Sequence, residues 1–329
     1  MTELMRAVVV STAGGPDVLR LVEAQRPRAA PGELLIKIVC SPLNPLDVQA
    51  RAGRVRWNHP GFPFTPGCGF AGRVMAAGTG AGSEWLGARV TVAGCWGGNA
   101  EWAAVPESSV QRMPDQFDWH LGAVAAGTAR TAWHLVHSAA RVCPGQVVVI
   151  HSAAGAVGLL TAQIARAAGA TVIGLAGGPA RVAFAARFAT HAIDYLDRDW
   201  VADLRAMHPA GADVIIDGNS GPGAALNLQA IAPLGTIIYM GSMAGAAPEV
   251  ALPALITRSC SVTGFVVNFH EARNPLSGRA ETEARLASGD WQIPITEVAT
   301  LDGIAELHRR FEARQVLGRA LVEIAKDPA

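Results

Sequence analysis

The chain lacks net charge and carries few charged residues. Only 16% of its 329 residues are charged, and 27 basic side chains balance 27 acidic ones. A chain without surplus cations is a poor nucleic-acid binder, because it cannot release counterions from phosphates. The amino terminus lacks a basic-then-apolar signal pattern, and the most apolar run, 147–178, is interrupted by polar residues. We therefore expect a cytoplasmic protein that binds neither nucleic acid nor membrane.

Cysteine is scarce, and the usual metal and hydrolase motifs are missing. The five cysteines are scattered without a CxxC pair, which favours reduced thiols over a disulfide framework. His134 and His137 lie three apart on a predicted helix, but no acid or thiol motif completes a metal site, so we predict no metal. There is no GxSxG elbow, HExxH pair or Walker loop, which argues against common hydrolase and NTPase chemistry.

The segment 147–175 is the most informative part of the sequence. It has the pattern of a strand, a glycine turn, a helix and a second strand, and 153–158 match the GxGxxG dinucleotide fingerprint with alanine for its first glycine. Glycine in this turn lets the backbone approach a pyrophosphate, and the start of the following helix offers unpaired N–H groups. The predicted nucleotide-binding residues of this turn are Ser152, Gly155, Ala156 and Val157.

The bound nucleotide is predicted to be NADPH rather than NADH. Residues 171–193 contain no Asp or Glu, and Ala176 stands where an NAD-binding chain places the acid for the ribose 2′-hydroxyl. Arg181 follows the Gly177-Gly178 turn and can make bidentate bonds to a 2′-phosphate, and Tyr195 can add a hydroxyl group. The alternative is that Arg181 and Tyr195 are ordinary surface residues.

The order of strand and helix patterns predicts an α/β protein with an inserted domain. Residues 1–120 show short strands between glycine and proline turns, which predicts a β-barrel-like domain. Residues 121–267 alternate helices with strands, as in a Rossmann-type doubly wound parallel sheet. The last segment, 268–329, closes with a strand that has no α/β partner, so we expect it to return to the first domain.

Short motifs along nearly the whole chain carry a family resemblance. They are Asn44-Pro45-Leu46-Asp47 with Arg51-Ala52-Gly53, Pro66-Gly67 with Ala71-Gly72, Gly97 to Trp102, Thr131-Ala132-Trp133, Ile193-Asp194-Tyr195, Gly264-Phe265 and Gly318-Arg319. In this order and spacing, the chain resembles the zinc-independent quinone oxidoreductase and enoyl reductase branch of the medium-chain dehydrogenase/reductase superfamily.

The resemblance implies a fold, an active site and an assembly. The fold is a GroES-like β-barrel catalytic domain interrupted by a Rossmann domain, with the active site in the cleft between them. Asn44 and Thr131 are implied to lie near the nicotinamide and the substrate, although a turn asparagine and a helix threonine are ordinary alternatives. The other residues implied to contact the cofactor are Asn219, Gly241, Ser242, Phe265, Val267 and Arg314. Family members commonly form homodimers through the edge of the nucleotide-domain sheet, here near 261–267.

The implied chemistry is hydride transfer without a metal. Zinc-dependent relatives place a cysteine and a histidine ligand where this chain has Asn44 and Cys68, and one thiol cannot make a tetrahedral site. The expected acceptor is therefore an activated one, an α,β-unsaturated carbonyl or a quinone. Two alternatives remain open: an enoyl reductase dedicated to a polyketide-like biosynthetic intermediate, and a non-catalytic NADPH-binding regulatory protein.

The sequence offers no evident tyrosine as the proton donor. Relatives carry a tyrosine where this chain has Val55 or Gln49, and the whole chain holds two tyrosines. The proton would then come from water, from the chemistry of the substrate or from His59, whose imidazole titrates near neutrality. Aromatic residues that could shape a flat acceptor site are Trp57, Trp96 and Phe269.

Overall fold

The computed structural model describes residues 3–55, 59–245, 249–250 and 252–327. The chain forms two compact units, one from residues 1–127 with 294–329 and the other from residues 128–293. The sequence placed the divisions near 120 and 267, whereas the structure keeps the segment 268–293 within the second unit. The assignment of catalytic and nucleotide-binding roles to separate domains stays a prediction.

The helices and strands fall into three stretches of the chain: one that is mostly β, one that alternates helices with strands, and a short one with two strands and a helix. The first stretch contains β1 (Leu4–Val10), β2 (Leu19–Gln25), β3 (Glu33–Pro42), α1 (Pro45–Arg51), β4 (Gly69–Ala77), β5 (Arg89–Ala93), β6 (Trp102–Pro106) and β7 (Val110–Arg112). The second contains α2 (Trp119–His134), β8 (Val147–Ile150), α3 (Ala156–Ala167), β9 (Thr171–Ala176), α4 (Pro179–Ala185), β10 (His191–Asp194), α5 (Trp200–Met207), β11 (Ala212–Asp217), α6 (Ala225–Ala230), β12 (Ile231–Tyr239), α7 (Leu252–Ile256), β13 (Ser261–Gly264), α8 (Val267–Arg273) and α9 (Arg279–Ser288). The third contains β14 (Ile295–Thr300), α10 (Ile304–Glu312) and β15 (Arg319–Glu323).

The first unit is built on a mixed sheet that uses both ends of the chain. Its strands follow the order β14-β15-β3-β4-β5-β7, with β6 also paired to β3, while β1 and β2 form a separate antiparallel pair. The inward faces of β3, β4 and β5 are apolar, and Leu34, Ile36, Ile38, Phe70 and Val90 are completely buried. The closing strand therefore does return to the first unit, as the sequence predicted.

The second unit holds a parallel sheet with the order β10-β9-β8-β11-β12-β13. β9 and β10 lie on one side of β8, whereas β11, β12 and β13 lie on the other side. The strand order therefore reverses between β8 and β11. All four residues of β8 are buried, whereas β13 is an exposed edge strand. In doubly wound sheets a ligand binds beyond the carboxyl ends of the strands at such a reversal. The predicted α/β fold class is confirmed.

Two helical features differ from the sequence prediction. The predicted helix 121–140 is an α-helix, α2, followed by a π-helical turn over Leu135–Ala140. The predicted strand 261–267 ends at Gly264, and the helix α8 begins at Val267. Because no residue of α8 is buried, the helix leaves no apolar stripe in the sequence that would reveal it. No helix within the described ranges is long and apolar enough to cross a bilayer.

A buried polar cluster joins α10 to α1 in the first unit. His308 is fully buried beside Arg51, which is 1% exposed and pairs with Glu312 at 2.7 Å. Within the described residues, both ring nitrogens of His308 and the Nε and Nη1 atoms of Arg51 have no hydrogen-bond partner. Burial, aided by the nearby Arg51 charge, lowers the pKa of His308 to about 3. The ring is therefore neutral in the folded protein.

This neutral histidine predicts a loss of stability in mild acid. An unfolded histidine takes up a proton below about pH 6.5, whereas folded His308 does not, so acid favours unfolding. His308 should contribute a fall of about 2 kcal/mol in the free energy of unfolding between pH 7 and pH 5, as measured by urea unfolding. His308→Gln should remove this contribution, while the exposed His191→Gln should retain it. Equal pH profiles in the two variants would contradict the assignment.

Candidate functional site

The glycine turn after β8 leaves the start of α3 open. Gly155 is the N-cap of α3 and has no side chain to cap it, so N–H groups of the first helical turn are not satisfied by a cap. Ser152 adopts a left-handed conformation with φ of 54°. A Cβ atom on Gly158 would lie 2.4 Å from the Ser152 carbonyl oxygen, so glycine is required where the helix meets the turn. Ala156 and Val157 form the first turn of α3.

Ser152 and Asn219 meet where the strand order reverses. The Ser152 hydroxyl donates to Asn219 Oδ1 at 2.7 Å, which joins the loop after β8 to the loop after β11. The backbone N–H groups of Asn219 and Ser220 in turn donate to Asp217 Oδ1 at 2.8 and 2.9 Å. The hydrogen bond between Ser152 and Asn219 brings together two residues that were predicted from separate motifs. The Asp217 carboxylate fixes the loop that carries Asn219.

A buried polar network beneath this loop was not predicted. Asn227 donates to Asp217 Oδ2 at 2.9 Å, and its Oδ1 atom accepts a hydrogen bond from His151 Nε2 at 2.8 Å. Burial lowers the pKa of His151 and raises that of Tyr239, whose hydroxyl lies 3.4 Å from both Asn227 Nδ2 and the Ala224 carbonyl oxygen. Tyr239 therefore belongs to the interior of the second unit. The one sign of this network in the sequence is that Asp217 stands at the end of a predicted strand.

The predicted phosphate-binding loop follows β9. The Tyr195 hydroxyl lies against Gly177, where an added Cβ would come within 2.9 Å of it. The Asp194 carboxylate accepts the Gly178 N–H at 3.0 Å and the Leu196 N–H at 3.0 Å, and these bonds lower its pKa. Arg181 lies in the first turn of α4, directly after this glycine pair. Asp194 stands in a motif of the family resemblance, but its role as an acceptor for this loop was not predicted from the sequence.

The remaining predicted cofactor residues lie beyond β12 and β13. The Gly241 carbonyl accepts the Ser220 hydroxyl at 2.6 Å, and a Cβ on Gly241 would lie 2.7 Å from the Gly218 carbonyl oxygen. Phe265 uses its backbone N–H for the Tyr239 carbonyl at 2.8 Å, and its ring stacks on His270 at 4.9 Å. Ser242 is exposed, and Val267 is the first residue of α8.

In the first unit, Asn44 is held by hydrogen bonds on both ends of its amide. Its Nδ2 atom donates to the Pro42 and Cys68 carbonyl oxygens at 3.2 and 3.3 Å. Its Oδ1 atom accepts from Arg319 Nη2 at 2.5 Å. Both amide hydrogens are engaged, so Asn44 joins β3, the loop at Cys68 and β15. These hydrogen bonds suit Asn44 to holding the neighbouring backbone and Arg319 in place.

Asp47, three residues on, is the acceptor on which this arrangement depends. It is fully buried, and its Oδ1 atom accepts the N–H groups of Gly67 and Cys68 at 3.0 and 2.8 Å. Its Oδ2 atom accepts the Asn44 N–H at 2.7 Å. Burial raises the pKa of this carboxyl, and the three backbone N–H bonds oppose that shift. Burial also lowers the pKa of Arg319 to about 10, which leaves a positive charge near Asp47 at neutral pH.

His59 has both ring nitrogens in hydrogen bonds with the backbone. Nδ1 accepts the Gly61 N–H at 2.9 Å, so Nε2 carries the proton and donates to the Ala50 carbonyl at 3.1 Å. The ring also packs against Phe62 and Phe64, with centroids 4.8 and 4.9 Å apart. One neutral tautomer satisfies every partner, which is the pattern of a structural histidine.

The other predicted residues are spread over both units. Thr131 lies on α2 within the second unit, and Arg314 follows α10 in the first unit with a φ of 59°. Trp96 packs edge-on against Phe64 at 5.5 Å, whereas Phe269 is 74% exposed. Val55 packs against the core of the first unit, and Gln49 lies on α1. Trp57 lies outside the described residues.

Comparison with known families matches both units. The model for the alcohol dehydrogenase GroES-like domain matches residues 30–115, and the model for zinc-binding dehydrogenases matches residues 156–280. Human quinone oxidoreductase is 32% identical over 245 residues, which are 73% of this chain and 74% of that protein. The chain belongs to the quinone oxidoreductase branch of the medium-chain dehydrogenase/reductase superfamily. The family resemblance found in the sequence is thereby confirmed.

Other relatives of this quinone oxidoreductase family member are similarly distant. The human synaptic vesicle membrane protein VAT-1 homolog is 30% identical over 241 residues, which span 72% of this chain but only 61% of that protein. The solved structure of the mycobacterial protein Rv1454c complexed with NADPH has a TM-score of 0.88 and 28% identity. It covers 97% of this chain and 99% of its own.

The residues of this family member do not fit the zinc ion named in one of the matching models. Of the two positions that correspond to zinc ligands, Asn44 has both amide hydrogens engaged and Cys68 offers one thiol. The buried guanidinium of Arg319 contacts the amide oxygen of Asn44, and a second cation beside it would be repelled. No cluster of three or more His, Cys, Asp or Glu side chains suited to a metal occurs in the part of the chain that the structure describes.

The central role of Asp47 predicts a large effect of its removal. Asp47→Ala should lower the free energy of unfolding by about 3 kcal/mol, because three backbone N–H groups and a buried cation lose their acceptor and counter-charge. The exposed Asp115→Ala should change it by less than about 0.5 kcal/mol. Urea unfolding of both variants measures the difference. If the two variants were equally stable, the buried carboxylate would not organise this region.

Proposed function

We propose that this protein is an NADPH-dependent, metal-independent reductase that transfers hydride to a quinone or an α,β-unsaturated carbonyl. The observation that carries the proposal is the Ser152–Asn219 hydrogen bond at the reversal point of the parallel sheet, beside the uncapped start of α3. This is where doubly wound folds bind a dinucleotide. Membership of the quinone oxidoreductase branch supports the same chemistry.

The residues of the second unit fit a phosphorylated dinucleotide. The first turn of α3 would hold the pyrophosphate through backbone N–H groups, and the glycine turn leaves room for it. Arg181, in the helical turn after the Gly177-Gly178 pair, and the Tyr195 hydroxyl, which lies against Gly177, would bind the 2′-phosphate. When bound, NADPH supplies a hydride from its nicotinamide ring. The relative solved with NADPH supports this assignment.

We propose this class of acceptor because Asn44 and Arg319 of the first unit do not suit a metal ion. An unactivated ketone needs a Lewis acid or a positioned general acid to polarise its oxygen, and the amide of Asn44 and the charge of Arg319 are unsuited to hold a metal ion. A quinone or an enone is already activated, and its reduction needs only hydrogen-bond donors for the developing anion and then a proton. We propose Thr131 as one such donor and Asn44 as the residue that positions the surrounding backbone.

Arg181 provides the test of cofactor choice. Arg181→Gln should raise the KM for NADPH by about 10-fold to 100-fold and change the KM for NADH by less than about threefold, because only NADPH carries the 2′-phosphate. Arg187→Gln, an exposed neighbour after the same helix, is the matched control and should behave as wild type. Steady-state kinetics with one quinone acceptor measures all four values. Wild-type protein that used NADH as well as NADPH would refute this part of the proposal.

We propose water as the proton donor rather than His59. Both ring nitrogens of His59 are engaged in hydrogen bonds with the backbone, and loss of its Nε2 proton would place a bare nitrogen against the Ala50 carbonyl oxygen. Tyr239 is also engaged internally, since its hydroxyl lies within the Asn227 network. Val55 and Gln49, at the positions of the family's tyrosines, cannot act as acids.

His59→Ala separates these possibilities. We expect kcat with a quinone or an enone to change by less than about threefold, while the melting temperature falls because two hydrogen bonds and two ring contacts are lost. His120→Ala, a surface histidine of the same unit paired with Glu323, controls for loss of a histidine. A loss of about 100-fold in kcat at unchanged NADPH affinity would instead identify His59 as the acid.

A homodimer through the sheet edge remains a prediction. β13 is the outermost strand and is mostly exposed, and the nearby helix α7 exposes Leu252 and Ile256. An open strand edge with adjacent apolar side chains is suited to pairing with a second copy. Light scattering that gave the mass of one subunit would contradict it.

A further inference from the structure

A cavity of about 420 Å³ lies within the second unit, on the side of α2 that faces α8. Trp133 and His137 line it from α2 and the π-helical turn, together with Ser138 and Arg141. His270 and Arg273 line it from α8. The volume falls in the range of small-molecule sites. None of these residues belongs to the glycine turns or strand ends of the proposed NADPH site.

The cavity is lined by cations and hydrogen-bond donors. Arg141 and Arg273 form no ion pair or side-chain hydrogen bond with any residue of the described ranges. No carboxylate lines the cavity, because Glu271, on the same helix as Arg273, pairs with Arg130 instead. Both arginines are exposed residues of the cavity wall, and two like charges at one cavity create a positive potential that an anion would neutralise.

The remaining lining groups are neutral donors. Burial lowers the pKa of His137 and of His270, with Arg273 adding to the shift of His270 and Glu281 opposing that of His137. Both rings are therefore uncharged at neutral pH, and each can donate through one nitrogen. The indole N–H of Trp133 is buried without a partner among the described residues. Asn274 and Ser277 complete the wall with an amide and a hydroxyl group.

The backbone around the cavity holds an irregular geometry. The π-helical turn Leu135–Ala140 ends at Arg141, which adopts a left-handed conformation with φ of 51°. Gly278, with φ of 71°, lies directly against the Trp133 ring, where an added Cβ would come within 2.1 Å of the indole. π-Helical turns are rare and occur frequently at functional sites. The indole and the arginine are thus placed by local backbone features that ordinary helix geometry would not give.

We propose that this cavity binds a small organic oxyanion, a phosphate monoester or a carboxylate attached to a flat group. The oxyanion would lie between Arg141 and Arg273, which offer forked donors to two or more oxygen atoms. The hydroxyl, amide and imidazole groups would complete its hydrogen bonds. The flat part of the ligand would contact the Trp133 side chain where it lines the cavity. The cavity adjoins the proposed NADPH residues, since its His270 ring stacks on Phe265, but neither Arg141 nor Arg273 is a proposed cofactor residue, and the proposal does not depend on the proposed function.

Calorimetric titration of the full chain with three probes tests the proposal. The probes are phenyl phosphate, benzoate and inorganic phosphate, and we expect saturable binding of at least one aromatic probe with a Kd below about 1 mM. Arg141→Gln and Arg273→Gln should each weaken binding by about tenfold or more, since each removes one charge-assisted contact. The stronger aromatic probe identifies the oxyanion. Weaker binding of inorganic phosphate than of phenyl phosphate would support contact with the flat group.

Two further variants locate the binding. Arg258→Gln removes one positive charge of the same unit away from the cavity and should leave the Kd unchanged. Arg181→Gln should also leave it unchanged, whereas loss of binding in that variant alone would assign the probe to the NADPH site and overturn the proposal. Absence of saturable binding to wild type, or equal weakening in Arg258→Gln and Arg273→Gln, would overturn it as well. These results are independent of whether the protein reduces quinones.

Discussion

Loops in both units depend on one kind of interaction, an aspartate that accepts backbone N–H groups, and two of the three aspartates are buried. Asp47 holds the loop at Gly67 and the start of α1, Asp217 holds the loop after β11, and Asp194 holds the glycine pair after β9. A loop that leaves the end of a strand cannot satisfy its N–H groups through the sheet, and burial makes an unsatisfied donor costly. Each carboxylate removes that cost and gives the loop a single conformation.

The same interaction explains what the sequence could and could not predict. Apolar runs of the right length predicted the parallel sheet, and the glycine spacing predicted the turn after β8, because both are properties of side chains. Asp47 and Asp194 stood inside recognised motifs, yet their roles were not predicted. Their partners are backbone N–H groups, which every residue except proline possesses, so no residue type marks them. The helix α8 escaped notice for a related reason, since it buries no side chain.

The candidate site residues fall into two classes. Ser152 and Asn219 are joined by a hydrogen bond at the reversal point of the sheet, and their neighbours form a surface suited to phosphates. Asn44 and His59 are instead saturated by hydrogen bonds to the backbone and to Arg319, which suits them to positioning. Motif matching cannot separate these classes, because it compares residue types and not the free donors that remain after folding.

The place of β15 in its sheet sets an order on the assembly of the molecule. β15 lies between β14 and β3, and it carries the Arg319 side chain that reaches Asn44. All strands of the parallel sheet lie between residues 147 and 264, so they leave the ribosome before residue 319 is synthesised. The second unit can therefore fold while β3 is paired with β4 and β6 but still lacks its third neighbour, β15. The polar arrangement around Asp47 becomes complete only when that late strand arrives, after all strands of the parallel sheet have been synthesised.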